Sequence, residues 1–540
     1  MSNLQSALLS CYKDGIANAV LLLQKADYQI YQKEWRTYCY DTNKSQKIND
    51  NLYFVEGAEI RKINLKSKNH TIGILPKRIY LNSENGTFID KPENRILINK
   101  KKPFADSKKQ LIVINTVRSI LLQDINFNII SHQSNDYLDN IIRLTKAQNN
   151  AGVTYPLADD MWTSIVKNDF YYFPEKLNIT CVFNFNSKKE ENYFIEYRKL
   201  FLTKWNQLKK DRKSLKVTAI AIDTALSVLD DSNFKNEKKD KQFRIYLIGV
   251  TGRIGEPIPK PQEKLMSHLD RLRIPYRLCS FDTKPTIYST SNQLVSLLTG
   301  VNAIPYALDL PFPENFDKGV IFGIDIGHNS KVKKSKVVVS AINHKGIHIV
   351  SIIKELPLNE ALQSRLIIKM LKKAKNKIGE KLNANMDKAI IIRDGRIPDR
   401  GSSTKAESSG DYLNALGIPT SIIELRKRGN PPIYSFDEEN QPTQEIGKIF
   451  HPDESDFRFA SFYKSKFGLS RTFKISIPSN GDKLKWGIDC FTGIICGLSY
   501  SLSLGLQPHL PSPIYWADGF ANTSENNNRF RGHHDVVYME

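Results

Sequence analysis

Two apolar runs that each end in an aspartate constrain this chain more than any other feature. The first is VIFGIDIGHNS, where Asp325 is the only charged residue, near the carboxyl end of an apolar strand. The second is KAIIIRDGRI, where Asp394 ends the strand and Gly395 follows. Burying an unpaired carboxylate costs several kcal/mol, so an aspartate inside such a strand needs a cation or a hydrogen-bond network. Either one alone reads as a capping or turn residue. Two in one α/β unit, 394 − 325 = 69 residues apart, can meet at one sheet edge if their strands are neighbours. Two-metal phosphodiester chemistry requires such a cluster, with two divalent cations about 3.5–4 Å apart, one activating water and one stabilising the leaving oxygen. Hard oxygen ligands suit Mg²⁺ or Mn²⁺. A third carboxylate is then expected late in the chain. Asp518 in PSPIYWADGFA, just past an apolar helix and a Pro-framed aromatic turn, is the best candidate, and His533, His534 and Asp535 (GHHD) compete with it.

The surrounding pattern is α/β. From about Lys318, strands are expected at Val320 to Ile326, Val337 to Asn343 and His348 to Lys354, with a hairpin turn at Asn343 to Gly346. A helix over Leu358 to about Lys381, a strand at Lys388 to Arg393, a helix near Ser409 to Leu416, a strand at Ser421 to Leu425 and an apolar helix over Trp486 to Leu504 follow. Three meandering strands and then helix-strand repeats are the order of an RNase H-like core. Ahead of it, Leu177 to Phe185, Val217 to Asp223, Phe243 to Val250 and Tyr276 to Cys279 read as strands. They alternate with helices at Tyr193 to Arg212 and Gln262 to Leu272, which is the rhythm of a parallel, doubly wound sheet. Residues 1 to about 165 read as mixed helix and strand, with a helical opening (Leu4 to Lys25) and extended runs at Asn51 to Val55, His70 to Leu75 and Asn94 to Ile98. Gln148 to Tyr155 reads as a linker, Asp230 to Lys241 and Gly401 to Gly410 (with Lys405) as surface loops.

Lys plus Arg total 78 against 57 Asp plus Glu, a net charge of +21. Such an excess favours a polyanionic partner, because each cation placed near a phosphate displaces a condensed counterion. No stretch approaches about 18 uninterrupted apolar residues, and Met1 to Gln24 lacks the features of a secretory signal, so no membrane role is expected. The six cysteines (Cys11, Cys39, Cys181, Cys279, Cys490, Cys496) form no CxxC pair, which argues against zinc and a disulfide framework and for a reducing cytoplasm.

The set GIDIGH, IIIRDGR, IIELRKRGNPPIYSF and LPSPIYWADGFA resembles, in order and spacing, the PIWI module of prokaryotic Argonaute proteins. The resemblance covers about residues 175 to 540. It implies a Rossmann-like MID domain over 166–315 and an RNase H-like PIWI domain over 316–540, preceded by a smaller α+β N-terminal or linker-like region over 1–165. That leading length is too short for N, linker, PAZ and second linker regions together, so a missing PAZ domain is expected. Asp325, Asp394 and Asp518 match the three aspartates of the family's catalytic tetrad. The fourth member, a glutamate on a mobile loop, falls by family spacing on Glu360 in PLNEALQ, with Glu355 in IIKELP as the alternative.

The MID part departs from the family pattern: Arg277 stands where a Gln is expected and Gly300 or a neighbour where a second Lys would lie. Lys264, Arg271, Arg273, Tyr276 and Arg277 are the candidate contacts to a guide 5′ end, by position, and a 5′-hydroxyl or differently held end fits them as well as a 5′-phosphate. The resemblance implies an endonuclease that uses a short guide DNA or RNA to direct two-metal cleavage of a complementary DNA or RNA target. Its alternative is a guide-loaded sensor that signals to a separate effector protein in prokaryotic defence, the role usual for short members.

Overall fold

The computed structural model describes residues 5–11, 15–33, 36–49, 52–63, 70–82, 84–86, 88–89, 107–129, 134–136, 142–144, 162, 165–166, 170–174, 177–183, 187–209, 215–230, 244–250, 258–272, 274–280, 284–301, 303–310, 312–329, 333–358, 364–395, 412–436, 442–443, 448–452, 457–463, 469, 471–478, 480–499, 510–522 and 536–539. The chain divides into two compact units, one of residues 1–139, 395–397 and 423–496, the other of 140–394, 398–422 and 497–540. The expected strand Asn94 to Ile98, the linker Gln148 to Tyr155 and the loops 231–241 and 401–410 lie outside the described residues.

The first unit opens with β1 (Leu8–Cys11), α1 (Gly15–Lys25), β2 (Gln29–Lys33), β3 (Arg36–Tyr40), β4 (Leu52–Ile63), β5 (His70–Asn82), α2 (Ser107–Leu121) and β6 (Phe127–Ile129). The strands form an antiparallel sheet whose main path runs β2-β3-β4-β5-β1-β6. One continuous helix over Leu4 to Lys25 is therefore corrected. Residues 8–11 pair with β5 and residues 9–11 also with β6, and Leu8, Leu9 and Cys11 are buried, so pairing and burial override local helix propensity there. Leu9 then shares a core with Leu23, Ile72, Ile74, Ile114 and Leu121, which joins the sheet to α1 and α2.

The second unit begins with β7 (Leu177–Phe183), α3 (Lys188–Lys209), β8 (Leu215–Ala221), α4 (Ile222–Asp230), β9 (Arg244–Val250), α5 (Lys260–Leu272), β10 (Tyr276–Ser280) and α6 (Ile287–Thr299). All four strands are parallel, in the order β8-β7-β9-β10. One face packs Ile179, Leu247 and Cys279 with Phe201 and Trp205 of α3 and Leu294 and Leu298 of α6. The other packs Val182, Ile248 and Tyr276 with Ala225 of α4 and Leu265, Met266 and Leu269 of α5. This is the expected doubly wound, Rossmann-like arrangement.

The same unit continues with β11 (Val320–Asn329), β12 (Lys334–Asn343), β13 (His348–Pro357), α7 (Ser364–Leu382) and β14 (Ala389–Asp394). The strand β15 (Thr420–Arg426) reaches the first unit, where Glu424 to Arg426 pair antiparallel with β17 (Arg471–Ser476), itself paired with β16 (Phe457–Tyr463). Next come α8 (Gly487–Leu498), α9 (Ser512–Ala521) and β18 (Val536–Met539). Strand order in the second unit is β14-β11-β12-β13-β18, with β11, β12 and β13 antiparallel as a meander and β14 parallel to β11. Backbone bonds from Gly346 to Asn343 and from Asn343 to Ile347 close the expected hairpin turn.

Of the helix expected near Ser409 to Leu416, residues 409–411 lie outside the described residues, Tyr412 and Leu413 are helical, residues 414–416 form a turn, and Gly417 at φ +63° follows. Among the described residues no helix is long and apolar enough to cross a membrane.

Candidate active site

β11 and β14 run parallel in register from Val320–Ala389 to Ile324–Arg393. Asp325 and Asp394 are the next residue on each strand. They therefore occupy equivalent positions, with side chains emerging on one face of strands about 4.8 Å apart. Asp325 is 5% exposed, and its Oδ1 accepts the backbone N–H of Ile326 at 2.8 Å. Asp394 is half-buried. Beside it, Arg393 Nη1 donates to the Tyr412 hydroxyl at 3.3 Å.

Asp518 lies in α9, half-buried in a helix whose other residues are almost all buried. The expected Pro-framed turn is in fact this helix, with Pro513 tolerated in its first turn because that position needs no intrahelical N–H donor. Two glycines of β11 fix where α9 rests. A Cβ on Gly323 would meet the Pro513 carbonyl oxygen at 2.2 Å, and one on Gly327 would meet the Ala521 carbonyl oxygen at 2.3 Å. Helix and strand thus run in the same direction, and Asp325, midway between the glycines and on their face, lies level with the stretch holding Asp518. The pattern GIDIG carries this signal, since strand period two puts both glycines on the aspartate's face, yet the motif reading used only its aspartate. Trp516 of α9 also stacks on His348 of β13, with ring centroids 4.4 Å apart. His348 Nε2 and Ser340 Oγ both lie on Ser351 Oγ, at 2.9 and 2.7 Å.

The donor set is all hard oxygen, and its residue types fit Mg²⁺ or Mn²⁺. Among the described residues, however, no group of three or more His, Cys, Asp or Glu is gathered tightly enough to hold a metal ion. Glu360, His533, His534 and Asp535 lie outside the described residues. Glu355 is described. It lies two residues before the end of β13, with Lys334 Nζ at 3.0 Å and Lys336 Nζ at 3.6 Å, and the hydrogen bond from Lys334 holds its carboxyl below the usual range.

The candidate guide-end residues are not brought together. Lys264 and Arg271 are exposed on α5, where Arg271 Nη2 lies 3.3 Å from His268 Nδ1. Tyr276 is buried among the α4 and α5 side chains, and its hydroxyl donates to Asp270 at 3.0 Å. Arg277 is on the opposite sheet face, where Nε reaches the Ser296 carbonyl of α6 at 3.2 Å and Nη1 the Tyr276 carbonyl at 2.7 Å. A Cβ on Gly300 would stand 3.1 Å from Arg277 Nη2, so the guanidinium occupies the space a side chain at 300 would need. Burial brings the Arg277 pKa down to about 10, against the pull of Tyr276 and Tyr515, and it stays charged at neutral pH. Arg273 lies outside the described residues.

Within the first unit a basic turn, Arg426 to Gly429, is held from two sides. Arg61 Nη1 donates to the Gly429 carbonyl at 2.8 Å, and Asn430 Nδ2 donates to the carbonyls of Arg426 and Thr472, each at 2.8 Å. Arg61 is itself buried against Glu59, which also takes Lys77 Nζ at 3.4 Å.

No family model matches the chain. The argonaute of Marinitoga piezophila is 27% identical to it over 118 residues, a match spanning 22% of this chain and 18% of that protein. The solved structure of the Marinitoga piezophila Argonaute with a 5′-OH guide RNA and target DNA superposes over 95% of this chain and 85% of its own (TM-score 0.65, 15% identity). Clostridium butyricum Argonaute bound to a guide DNA and a 19-mer target DNA superposes over 97% and 88% (TM-score 0.65, 12% identity). For Drosophila Piwi the shares are 98% and 90% (TM-score 0.67, 10% identity). The resemblance read from the four sequence blocks is borne out: the chain has the Argonaute fold, with a Rossmann-like domain followed by an RNase H-like one.

Proposed function

We propose that this chain, which has the Argonaute fold, is a guide-directed endonuclease that cuts a nucleic-acid strand paired to a short guide. The observation that carries the proposal is the equivalent placement of Asp325 and Asp394 on neighbouring parallel strands, level with the stretch of α9 that bears Asp518. These three carboxylates would hold two Mg²⁺ or Mn²⁺ ions, which when bound activate water and offset charge on the leaving oxygen. The chain's own part is positional. Gly323 and Gly327 let α9 approach β11 closely along the stretch that bears Asp518. Glu360 supplies a fourth carboxylate, because Glu355 is engaged by Lys334 and Lys336. In-line attack by water leaves a 5′-phosphate and a 3′-hydroxyl.

Sequence choice comes from base pairing, and the protein reads backbone through Lys and Arg. The Marinitoga piezophila structure holds a 5′-OH guide RNA and the Clostridium butyricum one a guide DNA. We take the first precedent for this chain, because Arg277 and Gly300 or a neighbour stand in place of the family's Gln and second Lys, and Lys264 and Arg271 lie on α5, which packs on the sheet face opposite to the one where Arg277 meets α6. A second reading, a guide-loaded sensor that signals to an effector protein, is favoured by the absence, among described residues, of a carboxylate group compact enough for a metal. Incubation with guide and labelled target separates the two: a single cut supports the nuclease, and tight target binding without a cut supports the sensor.

A further inference from the structure

The helix α7 carries seven basic residues, Arg365, Lys369, Lys372, Lys373, Lys375, Lys377 and Lys381, against one acidic residue, Glu380. Three of the seven are engaged within the fold. Lys375 donates to the Leu416 carbonyl at 2.6 Å, Lys381 to the Ile349 carbonyl at 2.8 Å, and Lys377 pairs with Glu380. Arg365, Lys369 and Lys372 are exposed at i, i+4 and i+7, one above another on the solvent side, with half-buried Lys373 beside them. Among the described residues no carboxylate pairs with them.

Exposed helices ordinarily intersperse their charges. The helix α3 does so, with Lys188 paired to Glu191 and Lys284 reaching Glu196. A one-sign stripe on α7 forgoes that support and suits a linear polyanion instead. At 1.5 Å per residue it spans about 10 Å, the axial rise of about three phosphates in one strand. An anionic membrane fits less well, because the apolar stripe of α7 (Ile367, Met370, Leu371, Ala374, Ile378) is buried in the protein and, of the helix's large apolar residues, only Leu382 at its end is exposed.

We propose that the solvent face of α7 is a second nucleic-acid surface, outside the carboxylate site, that takes the phosphodiester backbone of a strand continuing beyond the guide-paired segment. The proposal rests on guide-directed target binding. Its effect is capture: the surface tightens and steers binding of long targets without reading sequence.

The test compares wild type with the triple variant Arg365→Glu, Lys369→Glu, Lys372→Glu, all at exposed positions, as guide-loaded proteins. Each meets a target of guide length and one extended by an unpaired tail of about 30 nucleotides, at about 50 and about 200 mM salt. In wild type the tail should tighten binding about tenfold at low salt. In the variant that gain should vanish, with the salt slope for the tailed target falling by about 2, three contacts at about 0.7 each for a single strand. A tail that adds nothing in wild type, or a gain that survives the triple change, overturns the proposal. So does a variant that loses only binding to phosphatidylserine vesicles. If no guide loads, the functional reading fails by itself, and the stripe is then judged on guide-free protein with a random single strand of about 60 nucleotides. There the variant must lose affinity, and equal affinity refutes the stripe.

Discussion

Asp325 and Asp394 stand side by side, each one residue past the last paired position, Ile324–Arg393, of two neighbouring parallel strands. No intervening strand or register slip separates them, so the two carboxylates share one face of the sheet although 69 residues apart in sequence. Asp325→Ala and Asp394→Ala should each lower cleavage by about a thousandfold or more, since a metal ligand contributes several kcal/mol and each 1.4 kcal/mol is tenfold. Guide binding, measured in parallel by filter retention, should stay within a few-fold. Cleavage that persists in either variant removes that aspartate from the site.

The close seat of α9 makes a sharper claim about packing. Gly323→Ala places a methyl carbon on the Pro513 carbonyl, and Gly327→Ala does the same at Ala521. Both atoms are backbone, so the helix itself must shift. We expect about 1–3 kcal/mol of lost stability, as for other overpacked cores, and a loss of cleavage larger than the melting shift accounts for, because Asp518 moves with the helix. Full activity in both variants would show that the position of α9 is not critical.

Glu355 and Glu360 should separate cleanly. Glu355→Gln breaks contacts to Lys334 and Lys336 that, at 42% exposure, contribute no more than about 1 kcal/mol. The lysine contact depresses the Glu355 pKa, so this contribution is present above the ordinary glutamate value of about 4.3. It is lost as pH falls through the depressed value. Cleavage at neutral pH should survive Glu355→Gln and fail in Glu360→Gln. The reverse pattern assigns the fourth carboxylate to Glu355.

Arg61 anchors the basic turn of the first unit from inside the protein. Arg61→Ala leaves buried Glu59 with Lys77 alone and frees the Gly429 carbonyl; breaking a buried pair outright costs about 3–5 kcal/mol, so with Lys77 retained a loss toward the lower end is expected. Thermal denaturation should show a matching fall in the midpoint, whereas Arg428→Ala, exposed on the same turn, should leave stability unchanged. Equal midpoints for wild type and Arg61→Ala would show the anchor to be dispensable.

Much of the fold was readable because strand and helix periods are local. The four MID-like strands and the PIWI-like meander fall within a few residues of their expected bounds. The aspartates were legible because a charge inside an apolar strand demands a reason. What failed was non-local. Leu8 to Cys11 is a strand only because β5 and β6 flank it, and Asp518 is helical where proline and aromatics suggested a turn. The described guide-end candidates are divided for a related reason: Tyr276 and Arg277 are adjacent in sequence, yet strand alternation sends them to opposite faces of the sheet. No spacing rule could reveal that the Arg277 guanidinium lies over Gly300, since that contact joins a strand to the end of α6.

Guided cutting at the Asp325–Asp394 pair is open to direct observation. The most direct measurement is cleavage of a labelled single-stranded target by the purified protein, with DNA and RNA guides bearing 5′-hydroxyl or 5′-phosphate, in Mg²⁺, Mn²⁺ or chelator, and with Asp325→Ala alongside. One cut at a fixed distance from the guide 5′ end is expected, best with a 5′-hydroxyl guide and abolished by chelator and by Asp325→Ala. Tight, guide-dependent target binding with no cut under any metal would contradict it and leave the chain a sensor.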